Sequence, residues 1–337
     1  MLTYTIRRLI SSFFVLIVAS IIVFWFAAAN YDPLKPFRSR NPQPTAAFFA
    51  QKRHEYHLDQ SIPVRYWHWL SNLVHFDFHH WAFISFNFGL DVNGSPVSTA
   101  LGQRLGITTR MIVGAIIFAA ILAIVLGVIS GVRRDKVFDI GATILTFVLI
   151  ALPTFWFAAV LKEGAVQVNK AAGSQIFYTV GNESFGISTY GTSGEIFKDQ
   201  LLHLILPTVS LGLLTAAGWI RYQRASTIDV LEADYMRLAR AKGVRNRTVI
   251  RRHGLRNALI PLVTVMAIDI GALFGGAIIT EKVYVWHGMG EYLNSALGAE
   301  DTYAVVGWVM VTAIFVVVFN LLADLLYAVL DPRIRLA

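Results

Sequence analysis

Apolar residues gather in six long runs set apart by charged breaks, at 9–29, 111–131, 140–161, 201–220, 258–280 and 303–330. About 20 such residues, each rising 1.5 Å in a helix, cross a hydrocarbon layer about 30 Å thick. The pattern predicts an all-α polytopic membrane protein with six transmembrane helices, and an even number of crossings puts both termini on one side. The first run follows Arg7 and Arg8 and ends in Ala27, Ala28 and Ala29, the layout of a secretory signal. A signal core is about 7–15 residues long, so this longer run is read as a retained anchor, with cleavage as the alternative.

The polar breaks fall into two sets. Residues 1–8, 132–139, 221–257 and 331–337 carry 17 basic and 6 acidic side chains, whereas 30–110, 162–200 and 281–302, together more than twice as long, carry 12 and 13. Lysine and arginine are held back on the cytoplasmic side during insertion. Both termini are therefore expected in the cytoplasm, with the chain a multi-pass membrane protein. The same asymmetry accounts for the net charge of +8 without a nucleic-acid partner. Composition agrees, because only 15% of residues are charged against about 25% in soluble domains. With no cysteine, disulfides, thiolate metal sites and cysteine nucleophiles are excluded.

This reading divides the chain into an N-terminal transmembrane helix (1–29), an external segment (30–110) and a five-helix core (111–337). The core carries an external insertion (162–200) and a cytoplasmic loop (221–257). The external segment opens with Pro33, Pro36, Pro42 and Pro44 and approaches the second span through 98–110, which reads as a short amphipathic helix. The Gly, Ser and Thr-rich stretch 181–194 reads as turns or a small hairpin. Gly127 and Gly131, like Gly271 and Gly275, stand four apart and permit close helix packing, within the subunit or between copies.

Six of the nine histidines fall between His54 and His80, and His75, Asp77 and His79 alternate as on one strand face. A metal patch is one reading. The aromatic neighbours Trp67, Trp69, Phe76, Phe78 and Trp81 suit a membrane interface or a small external core better, and no metal site is assigned. His54 and Glu55 do not continue into a zinc-protease motif, since position 58 is leucine.

The cytoplasmic loop 221–257 holds ten basic and three acidic side chains. Residues 234–242 read as a helix, Gly243 as its left-handed terminator, and 245–253 as resumed helix before Pro261 begins the fifth span. A short helix tied to spans at both ends transmits force. A solvated basic loop lying against anionic headgroups is the alternative.

The sequence DYMRLARAKGVRNRTVIRRHGLRNALIP (234–261) resembles the cytoplasmic "EAA" loop of ATP-binding-cassette importer permeases, in the form found in the dipeptide, oligopeptide and nickel group. GVISGVRRDKVFD (127–139), ALPTFWFAAVL (151–161), HLILPTVSLGLL (203–214), GGAIITEKVYVWHGMGEYL (275–293) and DLLYAVLDPRIR (324–335) resemble that group's segments in the same order. The two external segments match it poorly. The resemblance implies an inner-membrane permease subunit, closest to the oligopeptide B-type subunits, importing peptides, with dipeptides or nickel as alternative cargo. It also implies a homologous second permease, two cytoplasmic ATPase subunits or domains that use ATP and magnesium, and an external solute-binding protein.

No G-x-x-x-x-G-K-[ST] loop is present, nor any Gly-Lys pair, so the chain itself binds no nucleotide cofactor in the Walker manner and is not read as an enzyme. The ATPase dock is expected on Asp234, Tyr235, Arg237, Ala239, Arg240, Ala241, Lys242 and Gly243. Ala239 and Ala241 allow close approach, and the cations face an acidic rim. Glu281, Gly288 and Gly290 resemble the external gate region, with the glycines expected to turn the backbone. Asp269, mid-way along the fifth run, is a pathway candidate because an intramembrane carboxylate is costly. It also supports the competing reading, an ion-coupled secondary transporter or an intramembrane enzyme. Asp324 reads as structural and His203 as interfacial.

Overall fold

The structure, a computed structural model, describes residues 2–39, 41–76, 84–245 and 248–330. α1 (Leu2–Asn30) is followed by the short helices α2 (Lys35–Arg38), α3 (Ala46–Glu55) and α4 (Ile62–Ser71). β1 (Val74–Phe76) then pairs antiparallel with β2 (Ile84–Phe86), Val74 opposite Phe86. Next come α5 (Val97–Val132), α6 (Val137–Ala151), α7 (Thr154–Ala172), the single turn α8 (Ile187–Tyr190), α9 (Ser193–Glu232) and α10 (Asp234–Ala241). A π-helical turn (Val249–Gly254) leads into α11 (Leu255–Tyr284), α12 (Met289–Gly298) and α13 (Thr302–Leu330).

Among the described residues, α1, α5, α9 and α13 are long and apolar enough to cross a membrane, and the bent pair α6–α7 makes a fifth if counted as one span. The 30-residue α11 contains the fifth apolar run. The run at 140–161 is not one straight helix. Leu152, forced to extended backbone (ψ 131°) ahead of Pro153, separates α6 from α7 at a bend of 106°. The apolar pattern continues across the proline, so periodicity alone does not register the break. Residues 98–110 form no separate helix but belong to the 36-residue α5.

The chain forms two compact units. The first comprises residues up to Ile107 with Gly288–Val317. Its core is aromatic: Phe24, wholly buried, meets Tyr66, Trp69 and Tyr303 with ring centroids 5.5, 5.7 and 6.4 Å away. Leu34, Phe37 and Tyr56 make a neighbouring cluster. Asp301 ties this unit by accepting from the N–H groups of Val92 (2.7 Å) and Ala304 (2.9 Å), against a burial that pushes its carboxyl pKa up.

The second unit comprises Thr108–His287 and residues from Val318 onward. α9 lies against α6, α7 and α11, with Ala119, Ala123, Ala216, Trp219, Ile220 and Leu262 at the centre. The backbones of α5 and α9 come very close. A Cβ on Gly127 would lie 2.7 Å from the Gln223 side chain and 2.9 Å from the Ile220 carbonyl oxygen. Gly131 is similarly pressed on Thr227, so this glycine pair serves packing inside the subunit. In the insertion, α7 continues to Ala172 and stops at Gly173 (φ +64°), and 181–194 holds turns and α8 without strand pairing. Thr192 and Glu195 form a reciprocal capping box that starts α9.

Candidate functional site

α10 is built as a short, anchored strut. Met236 is its one fully buried side chain and packs on Gly254 of the π-helical turn. The Asn257 amide donates to the Tyr235 hydroxyl at 3.0 Å. At the far end Gly243 adopts φ +76°, and the Gly243 and Val244 N–H groups return to the Arg240 and Ala239 carbonyls. This paired closure is a Schellman motif, and the left-handed residue it needs is the one the sequence supplies.

The rest of the strut faces outward. Asp234, Tyr235, Arg237, Arg240, Ala241, Lys242 and Gly243 are exposed and Ala239 is half-buried. Leu238, 58% exposed, gives the cationic face an apolar centre. Arg237 approaches only Asp234 of its own helix, at 3.9 Å between two solvated side chains, an interaction too weak to occupy it. An apolar groove with an acidic rim is the complement of this surface.

A brace behind the strut was not anticipated from the sequence. Asp139, in the first turn of α6, receives Arg224 of α9 bidentately, Nε to Oδ1 at 2.5 Å and Nη2 to Oδ2 at 2.7 Å. The Ser130 hydroxyl and the Asp135 N–H also donate to it. Ser226 donates to the Ala258 carbonyl at 2.9 Å, joining α9 to α11. These bonds join α6, α9 and α11 to one another.

At the other end of α11, Glu281 is buried and receives the Thr108 hydroxyl. The backbone reversal that follows is not made by glycine. Val285 takes the left-handed conformation (φ 52°, ψ 47°), while Gly288 is extended ahead of α12 and Gly290 is buried inside it. A β-branched residue there is strained by about 1–3 kcal/mol, and neighbouring contacts impose it. The Gly181 N–H donates to the Tyr284 carbonyl at 2.9 Å, Lys162 Nζ to the Val283 carbonyl at 2.7 Å, and Trp286 is 2% exposed.

Asp269 is not isolated, since the Trp219 indole N–H donates to its Oδ2 at 2.7 Å. His203 is buried, its Nδ1 2.9 Å from the Asp199 carbonyl oxygen and its ring against Tyr178. In the first unit, His57 and His68 stack with centroids 5.7 Å apart. Beside them, burial and the carboxylates of Glu55, Asp301 and Asp91 push the Tyr56 phenol up to about 12, keeping it a neutral donor to the Val92 carbonyl. Asp77, Phe78, His79, His80 and Trp81 of the histidine patch, with the side chains of His75, Phe76 and Asp324, lie outside the described residues. Among the described residues no three His, Asp or Glu side chains converge as a metal set.

Residues 123–336 match the family model of binding-protein-dependent transport system inner membrane components, and residues 1–111 match the model of their N-terminal part. The oligopeptide transport system permease protein OppB of Mycobacterium tuberculosis is 36% identical over 337 residues, covering all of both chains. AppB, an oligopeptide permease protein of Bacillus subtilis, is 34% identical over 99% of this chain and 100% of its own. The glutathione transport system permease protein GsiC of Escherichia coli is 32% identical over 99% of each. Among solved structures, the methionine transporter MetNI in inward-facing form superposes with a TM-score of 0.53 at 13% identity, over 69% of this chain and 97% of that one, a likeness of fold.

Proposed function

Because the chain belongs to the family of binding-protein-dependent transport system inner membrane components, we propose that it is the transmembrane subunit of an ATP-driven importer of oligopeptides. In this reading it forms half of the translocation pathway and couples to a separate ATPase through α10. The observation that carries it is the strut: an eight-residue helix buried by a single methionine, capped by a left-handed glycine and otherwise turned outward. The peptide cargo is supported by relatives named for oligopeptides and glutathione, all peptides.

The assembly comprises a homologous second permease, two cytoplasmic ATPase subunits that hold ATP and magnesium, and an external solute-binding protein. The chain crosses a bacterial inner membrane six times, with both termini cytoplasmic and α6–α7 as a broken third crossing. Its segments 30–110 and 162–200 face the receptor. A two-state transporter moved from 1:99 to 99:1 requires about 5.5 kcal/mol of differential binding, and here the motor supplies it through Leu238, Arg237, Arg240 and Lys242. The strut does not tilt alone, since Met236 packs on Gly254 and Tyr235 accepts from Asn257, which tie it to the π-helical turn and α11. The spans rock with it, and the segment around Glu281, Gly288 and Gly290 admits cargo on the external side.

Reconstitution of the assembled importer tests this reading: peptide uptake requires ATP and receptor and is indifferent to an imposed proton gradient. Uptake driven by the gradient without ATP would replace it with ion coupling through Asp269. Asp269→Asn keeps an acceptor for the Trp219 indole and is expected to leave ATPase stimulation unchanged. Loss of transport alone in that variant assigns Asp269 to the pathway.

A further inference from the structure

Between α6 and α9 lies a notch of about 540 Å³, lined by Thr143, Phe147, Gly218, Arg221, Tyr222 and Arg224. Arg224 is neutralised by its bidentate pair with Asp139. Arg221 is not. Among the described residues no carboxylate stands within ion-pair distance of it, and its guanidinium lies 4.4 Å over the Phe147 ring. Stacking on that face holds the plane of the group and leaves its N–H edge open.

Depth makes this cation informative. Asp139 and Arg224 sit where α6 leaves the polar loop 132–139, and Arg221, one helical turn nearer the apolar run 201–220, directly borders that run. The surrounding surface is made for hydrocarbon: Val137, Ile140, Ile144 and Val148 are between 52% and 89% exposed, and Phe147 belongs to both this face and the notch. A cation at the border of hydrocarbon stands at headgroup level, where an anionic lipid attracts it. A phospholipid phosphate, with its chains laid along α6, supplies both halves of the complement.

We propose that the α6–α9 notch binds the phosphate of an anionic phospholipid, with Arg221 as its principal partner and the exposed face of α6 as the seat of an acyl chain. This goes beyond the transport reading and needs only that α6 and α9 lie in a bilayer.

The test is native mass spectrometry of the assembled importer released from vesicles of equal phosphatidylglycerol and phosphatidylcholine. Phosphatidylglycerol is expected to be retained preferentially, and Arg221→Gln to lower its occupancy about fivefold. Gly218→Leu supplies a second variant with the charge intact. A Cβ at Gly218 meets nothing within 4 Å, so the longer side chain grows into the notch without disturbing α9 and should lower occupancy comparably. Equal retention in both variants and wild type, or equal retention of phosphatidylcholine, would overturn the proposal. Displacement by excess inorganic phosphate would give the site to a soluble anion, and cross-linking of Tyr222 to the second permease would give it to a protein; either outcome defeats the lipid assignment.

Discussion

Gly243 offers a perturbation whose size can be worked out from its surroundings. Its φ of +76° is the left-handed conformation, and a Cβ there would meet nothing within 4 Å. Replacement therefore introduces backbone strain without a clash. For alanine or valine that strain is about 1–2 kcal/mol, and asparagine tolerates the conformation better. α10 has only eight residues, well below the about 12–15 at which isolated helices become marginally stable. Its cap and the Met236 anchor must hold it, and a loss of about 1–2 kcal/mol lowers the ratio of capped to uncapped strut roughly 5- to 30-fold. If that form engages the motor, Gly243→Ala and Gly243→Val should lower receptor-stimulated ATPase activity and uptake in proteoliposomes by that order. Gly243→Asn should stay near wild type, and all three should insert normally. Hydrogen exchange of the Gly243 and Val244 amides, which close the cap, should rise in the first two variants only. Wild-type coupling in all three, or an asparagine variant as impaired as valine, would refute the reasoning.

Further substitutions probe the scaffold. Gly127→Ala should destabilise by about 1–3 kcal/mol, read as a lower unfolding midpoint in detergent, because the new Cβ meets the backbone oxygen of Ile220. Gly141→Ala on α6, where nothing lies within 4 Å, should be neutral or stabilising by up to about 1 kcal/mol. Asp139→Asn removes a buried carboxylate from the part-exposed Arg224 and should cost about 1–3 kcal/mol by the same measurement. Adding Arg224→Met to Asp139→Leu should recover most of that loss, since the brace then becomes an apolar contact.

The strut was legible because its signals are local. A helix over 234–242 ending at Gly243 differs from the observed Asp234–Ala241 by one residue. Its anchors were not legible, because they depend on chain segments meeting in space: Tyr235 and Asn257 are 22 positions apart, and nothing around Met236 marks it as a plug. The expected turn after the fifth run misled for a related reason. Gly288 and Gly290 offered the easier turn, yet contacts from Lys162 and Gly181 place the reversal on Val285. At Pro153 the breaker was visible in the sequence, but uninterrupted apolar character on both sides concealed a bend of 106°.

The proposed coupling requires that α10 seat in a neighbouring ATPase and move with it. The chain has no cysteine, so Leu238→Cys introduces one reporter on the exposed face of the strut, to be paired with single cysteines lining the motor's groove. Disulfide trapping in the assembled importer is predicted to join the two chains in high yield, with the preferred partner cysteine changing between nucleotide-free and ATP-bound states. An importer that transports peptide normally while Leu238→Cys forms no cross-link to the ATPase in either state would contradict the account.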